Sequence, residues 1–132
     1  MNVDATADAA RPARVVVLAQ DLIWSDRLAR AVEACGALPI RAAADAPFDA
    51  ALSDAAFAII DLTARAYDPM AAIARAHAAG VPVLAVGQHD DVAERKRALA
   101  EGADRVLAYR KLFEDGPTAI SAWMARAASS VA

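Results

Sequence analysis

Phe57-Ala58-Ile59-Ile60-Asp61 is a run of four apolar residues closed by a carboxylate, in the middle of a chain that alternates strand and helix patterns. A short, unbroken apolar run fits a strand buried on both faces, as in a parallel sheet covered by helices on each side. In open α/β sheets the functional groups gather at the carboxyl ends of the central strands. Asp61 ends such a strand and is the first candidate site residue.

The flanking segments complete the sheet. Val15-Val16-Val17-Leu18 is a second β-branched run. After it Trp24, Leu28, Ala31, Val32 and Cys35 recur at helical spacing, and Gly36 stops the helix. Leu38–Ala42 predicts a strand whose Pro39 removes a ladder donor, which places it at a sheet edge. A short helix over Phe48–Leu52 leads into the strand Ala56–Leu62. Asp68-Pro69 joins a capping carboxylate to the residue favoured at the first helical position. That helix buries Ile73 and ends at Gly80. Val81–Val86 predicts the fourth strand. Asp90 or Asp91 caps a helix running to Glu101, with Asp91–Arg95 and Arg97–Glu101 as expected surface pairs and Gly102 as its stop. Arg105–Ala108 is the fifth strand. Pro117 opens a last helix with Ile120, Trp123, Met124 and Ala127 on one apolar face. The alternation predicts an α/β fold with a five-stranded parallel sheet, order 2-1-3-4-5, and helices on both faces.

Composition bounds the function. The 132 residues suffice for one domain with one core. Residues 1–13 lack periodicity and are expected to form a disordered arm, residues 14–128 the domain, and residues 129–132 a tail. The apolar fraction of 58% overstates the core, because 39 of those residues are alanine and bury little area. A net charge of −3 gives no general attraction to nucleic acid or anionic membrane, and neither is expected as a partner. No apolar run approaches a membrane span, and Met1–Arg11 lacks the hydrophobic stretch of a secretory signal, so a cytoplasmic location is expected. The single Cys35 excludes an internal disulfide and a cysteine-rich metal site. The turn Ala19–Trp24 after the first strand contains no glycine, and no Walker-type loop occurs, which argues against a nucleotide site.

Over roughly Arg14 to Ala128 the chain resembles the receiver domain of bacterial response regulators. The resemblance is carried by Val15–Leu18, by the strand ending in Asp61, by Val81-Pro82-Val83-Leu84, and by Gly102-Ala103-Asp104 before the last strand. It implies a flavodoxin-like fold in which Asp61 holds the place of the phospho-acceptor. It further implies an acidic pair for magnesium after the first strand, a Ser or Thr after the fourth, and a Lys after the fifth. Here the acidic pair falls at Ala19-Gln20 or Gln20-Asp21, the hydroxyl at Gly87 and the lysine at Tyr109, with Arg110 and Lys111 following. One acid fewer weakens a site for a hard cation, so magnesium is expected to bind weakly, if at all, at Asp21 and Asp61, and no other cofactor is expected. The expected pocket is Asp61 with Gln20, Asp21, Gly87, Gln88, His89 and Tyr109.

These losses favour a pseudo-receiver, a stand-alone signalling domain that has given up phosphotransfer, is not an enzyme and acts by protein–protein binding. The family's usual partner surface is the fourth helix, fifth strand and fifth helix. Here it would carry Arg95, Lys96, Arg105, Tyr109, Arg110 and Lys111 and would engage a protein partner or a second copy. The alternative is a response regulator phosphorylated on Asp61 by a histidine kinase despite a degenerate magnesium site. Neither version includes direct transcriptional action, since no DNA-binding segment is apparent after residue 128. Plainer roles stand beside these: Gln20 and Asp21 as helix caps, Asp61 as acceptor of loop N–H groups, His89 as a solvated loop residue, and Cys35 as a small core residue.

Overall fold

The computed structural model describes residues 11–131. Its strands are β1 (Arg14–Leu18), β2 (Leu38–Ala42), β3 (Phe57–Asp61), β4 (Val83–Gly87) and β5 (Arg105–Ala108). Its helices are α1 (Leu22–Ala34), α2 (Asp45–Leu52), α3 (Pro69–Ala78), α4 (Val92–Glu101) and α5 (Tyr109–Val131). All strand pairs are parallel and the order is β2-β1-β3-β4-β5, as the alternation predicts. Pro39 pairs with Val15 on the edge strand β2, where its missing N–H interrupts no interior ladder.

Because successive strand residues point to opposite faces, the sheet sorts its apolar side chains into two cores. Val16, Leu18, Ala58, Ile60, Val83 and Ala85 pack against Phe48 and Leu52 of α2, Ile73 and Ala76 of α3, and Ala98 of α4. Val15, Val17, Phe57, Ile59, Leu84 and Val86 pack against Leu28 and Val32 of α1, and Ile120, Trp123 and Ala127 of α5. The central strands β3 and β4 are buried along their whole length, which accounts for their unbroken apolar sequence.

The helix ends follow local chemistry. Asp21 accepts from the N–H groups of Ile23 and Trp24 at 2.8 and 3.0 Å, and Asp68 caps α3 ahead of Pro69. Asp91, not Asp90, caps α4 by accepting from Glu94 N at 3.0 Å. That carboxylate is thereby committed to the cap, and the expected pair with Arg95 does not form. The Arg97–Glu101 pair is also absent among the ion pairs of the described residues, which at i,i+4 spacing are Asp26–Arg30, Arg110–Glu114 and Lys111–Asp115. Gly102 adopts φ 122°, and a Cβ there would lie 2.5 Å from Cγ of His77, so both the backbone and its neighbour call for glycine.

Several boundaries differ from the expected ones. Helix α2 begins at Asp45, earlier than Phe48, because Asp45 and Asp49 both bind the Arg75 guanidinium of α3 at 2.8 Å and tie its first turn down. Strand β4 starts at Val83, after Val81 and Pro82. The last helix starts at Tyr109, bends at Asp115 (φ −153°, ψ 43°) just ahead of Pro117, and continues to Val131 through residues read as a tail. Of the expected N-terminal arm, residues 1–10 lie outside the described residues. Residues 11–13 form no helix or strand, and the Ala13 carbonyl accepts from Leu38 N at 2.8 Å.

Candidate functional site

Asp61 sits at the carboxyl end of β3, 1% exposed, with β1 on one side and β4 on the other. A carboxylate this buried requires hydrogen-bond donors, and the structure supplies them from two elements. The loop after β3 turns back so that Thr63 donates to Asp61 Oδ1 from its N–H at 3.0 Å and from its hydroxyl at 2.9 Å. From the start of α5, the Tyr109 hydroxyl donates to the same oxygen. The two hydroxyls lie 2.7 Å apart, so two protons serve three short oxygen–oxygen contacts. No other hydrogen bond reaches the Asp61 carboxylate among the described residues.

Tyr109 takes this place because α5 begins immediately after β5. Strand β5 ends at Ala108, as expected, and the backbone turns helical at Tyr109, whose hydroxyl reaches the sheet end at Asp61. The ring is held by Trp24 of α1, with centroids 4.4 Å apart. Arg27 lies over Trp24 and over Phe113, at 5.7 and 4.8 Å from the ring centroids. Burial first, and the bond to Asp61 second, push the Tyr109 phenol well above its usual range, so it stays a neutral donor at physiological pH.

The second tyrosine reaches the same residue from the other side. Tyr67 is buried, and its hydroxyl lies 2.7 Å from the Asp61 carbonyl oxygen and 3.1 Å from that of Leu18. This pins the ends of β3 and β1 together. Burial, followed by the nearby charge of Asp61, raises its phenol far above the usual range as well.

The remaining expected pocket residues separate into those that reach Asp61 and those that do not. Gln20, Asp21 and Asp61 line one cleft with Thr63, Ala64 and Arg65. Gln20 Oε1 accepts from Arg65 N at 2.7 Å and Ala66 N at 3.0 Å, so it ties down the β3–α3 loop and does not cap α1. Asp21 caps α1. Gly87 ends β4, and its missing side chain leaves room for Glu94 of α4, whose Oε1 lies 3.0 Å from where a Cβ would stand. Burial, then the charge of Asp91 and also that of Asp61, raise the Glu94 carboxyl above its usual value. Gln88 and His89 are exposed in the loop after β4 and are not among the residues lining the cleft with Gln20, Asp21 and Asp61.

The cleft does not suit magnesium. Asp61 Oδ1 is surrounded by donors, the Gln20 oxygen is turned to backbone N–H groups, and Asp21 serves a cap. No group of three or more His, Cys, Asp or Glu side chains among the described residues is placed to hold a metal ion. Of the expected partner face, Arg95 and Lys96 are exposed on α4, and Arg105 is half-buried at the start of β5. Tyr109, half-buried, turns its hydroxyl to Asp61. Arg110 and Lys111 lie within 3.1 and 3.9 Å of Glu114 and Asp115, which offsets their charge locally.

Thr63, Tyr67 and Glu94 were not anticipated. The signal for Tyr67 lay in composition: the chain has two tyrosines, and a buried phenol must place its hydroxyl against a partner.

No protein-family model matches the sequence, and neither does any curated protein. Solved structures do match. A CheY-like response regulator receiver domain from Methanospirillum hungatei is similar at TM-score 0.73 and 17% identity, over 90% of this chain and 98% of that one. The receiver domain of a Francisella response regulator gives 0.73 and 15%, over 86% and 98% of the two chains. The receiver domain of a Pseudomonas aeruginosa sensor histidine kinase gives 0.73 and 12%, over 86% and 98%, and was solved with magnesium coordinated in its active-site cleft. At these identities the likeness is one of fold: the chain has the flavodoxin-like fold of response-regulator receiver domains. No helix among the described residues is long and apolar enough to cross a membrane.

Proposed function

We propose that this domain is a receiver-like signalling module that acts by binding protein and no longer accepts a phosphoryl group on Asp61. The observation that carries the proposal is the Tyr109 hydroxyl on Asp61 Oδ1, from the position where the family resemblance puts a lysine. A neutral phenol satisfies the carboxylate but cannot offset added negative charge. Glu94 adds a second carboxylate above Gly87 where the resemblance puts a hydroxyl. Like charges repel, and the groups bonded to the Asp61 carboxylate among the described residues are the neutral Thr63 and Tyr109, so no cation is in place there to hold a phosphoryl group.

The domain is then a cytoplasmic binding module and not an enzyme. Its partner is a protein or a second copy, and the remaining contact face is Arg95 and Lys96 on α4 with Arg105 on β5. The test is incubation with acetyl phosphate and magnesium, followed by intact-mass measurement. No phosphoryl adduct is expected. A stoichiometric adduct that disappears in Asp61→Asn would overturn the proposal and establish Asp61 as a phospho-acceptor.

A further inference from the structure

Helices α1 and α5 run side by side in the same direction: Arg27 meets Phe113, Ala31 meets Gly116, and the Cys35 thiol donates to the Pro117 carbonyl at 3.1 Å. Their outward face has a ridge at one end and a groove at the other. The ridge holds Leu22, Ile23 and Phe113, which at 77, 65 and 66% are the most exposed large apolar side chains among the described residues. Arg27 joins them, lying over the Phe113 and Trp24 rings. The groove, of about 480 Å³, is lined by small or uncharged side chains, among them Cys35, Thr118, Ser121 and Ala122. A cluster of exposed apolar side chains on a folded domain marks a contact surface.

The charges on α1 show what covers it. Arg27 makes no ion pair or hydrogen bond among the described residues, whereas Asp26 beside it is taken by Arg30 and Arg41. Nearly two turns further along, Glu33 is exposed, and its carboxylate is likewise unpaired among the described residues. The last turn of α1 carries no basic residue, although the helix dipole leaves partial negative charge there. One face thus presents a ridge with an unpaired cation at its start and an uncharged groove beside an unpaired anion at its end. A two-fold axis across the two helices turns such a face end for end. Each copy's ridge then meets the other's groove, and each Arg27 approaches the acidic end of the other α1. An isologous interface has to complement itself in this way.

We propose that the α1–α5 face is the contact between two copies of this chain, packed antiparallel about a two-fold axis. This rests on the reading of the domain as a binding module and names its partner and its face, which is distinct from Arg95, Lys96 and Arg105. The test is sedimentation velocity of the full chain over a concentration series, and a monomer–dimer equilibrium is expected. Arg27→Glu and Glu33→Arg each weaken the dimer by about tenfold or more, because each sets like charges together, and the double reversal restores it. Ala122→Trp, at an exposed position, fills the groove and leaves a monomer whose thermal unfolding matches that of the parent. Lys96→Glu, on α4, leaves the dimer unchanged. The proposal is overturned if the chain stays monomeric, if the single reversals leave the dimer intact, if the double reversal does not restore it, or if Lys96→Glu dissociates it. A monomer would leave the face to a different protein, and the acetyl phosphate experiment decides separately whether Asp61 is a phospho-acceptor.

Discussion

The Tyr109 hydroxyl donates its hydrogen bond to Oδ1 of Asp61, so the carboxylate at the carboxyl end of the central strand is closed from within its own chain. The bond joins the first residue of α5 to the last residue of β3. It also stacks the Tyr109 ring on Trp24, which brings α1 into the same contact. Removing the hydroxyl alone isolates its contribution.

Tyr109→Phe retains the ring and its packing but leaves Asp61 Oδ1 with only the two Thr63 donors. We expect a loss of about 1–3 kcal/mol, since the acceptor is charged and largely removed from water. Chemical denaturation with an unchanged m-value measures it. A variant as stable as the parent would mean that this contact contributes nothing in solution.

Both tyrosines of the chain are tied to Asp61, and both phenols are shifted upward by burial. A group whose pKa is raised on folding binds more protons folded than unfolded once pH passes its usual value of 10.0. Stability should therefore fall as pH rises above that value, and it is fully retained below it. Monitoring phenolate absorbance against pH should show no tyrosine ionising in the folded protein near its usual value, with both ionising together on alkaline unfolding. A normal, reversible titration of either tyrosine in the folded chain would contradict the geometry at Asp61.

The sheet was legible because its strands are short apolar runs and its helices carry caps such as Asp68-Pro69 and stops such as Gly80 and Gly102. Pro39 alone placed β2 at the edge. Asp61 was legible as well, from its place after four apolar residues. Its partners were not. Thr63 and Tyr67 lie in a loop, where no periodicity marks direction. Tyr109 sits at a strand-to-helix junction, where the alternation that assigns strand faces has already ended. Glu94 looks like any solvated helix residue until Gly87 is seen to leave space beneath it. Gln88 and His89 were assigned to the pocket from sequence proximity to β4, yet their loop faces solvent.

Gly87 and Glu94 are fitted to one another, and this fit is separable from the Asp61 contacts. A Cβ on Gly87 would stand 3.0 Å from Glu94 Oε1 and 3.1 Å from Cδ1 of Leu62. Gly87→Ala must therefore push both side-chain ends back by a few tenths of an ångström, a small destabilisation set by how far Glu94 and Leu62 can give. Glu94→Ala removes one obstacle, so the double variant should be more stable than the sum of the single changes predicts, with a coupling of about 0.5 kcal/mol or more. The coupling has a pH signature. Glu94 is raised by burial and by neighbouring acids, so folding disfavours its charged form. Its penalty is absent below the usual carboxyl range and sets in as pH rises through the raised value. Glu94→Gln should therefore gain stability relative to the parent at neutral pH, and the gain should vanish in acid. Strict additivity in the Gly87–Glu94 cycle, together with a Glu94→Gln effect that does not change with pH, would show that the carboxylate points away from Gly87 in solution.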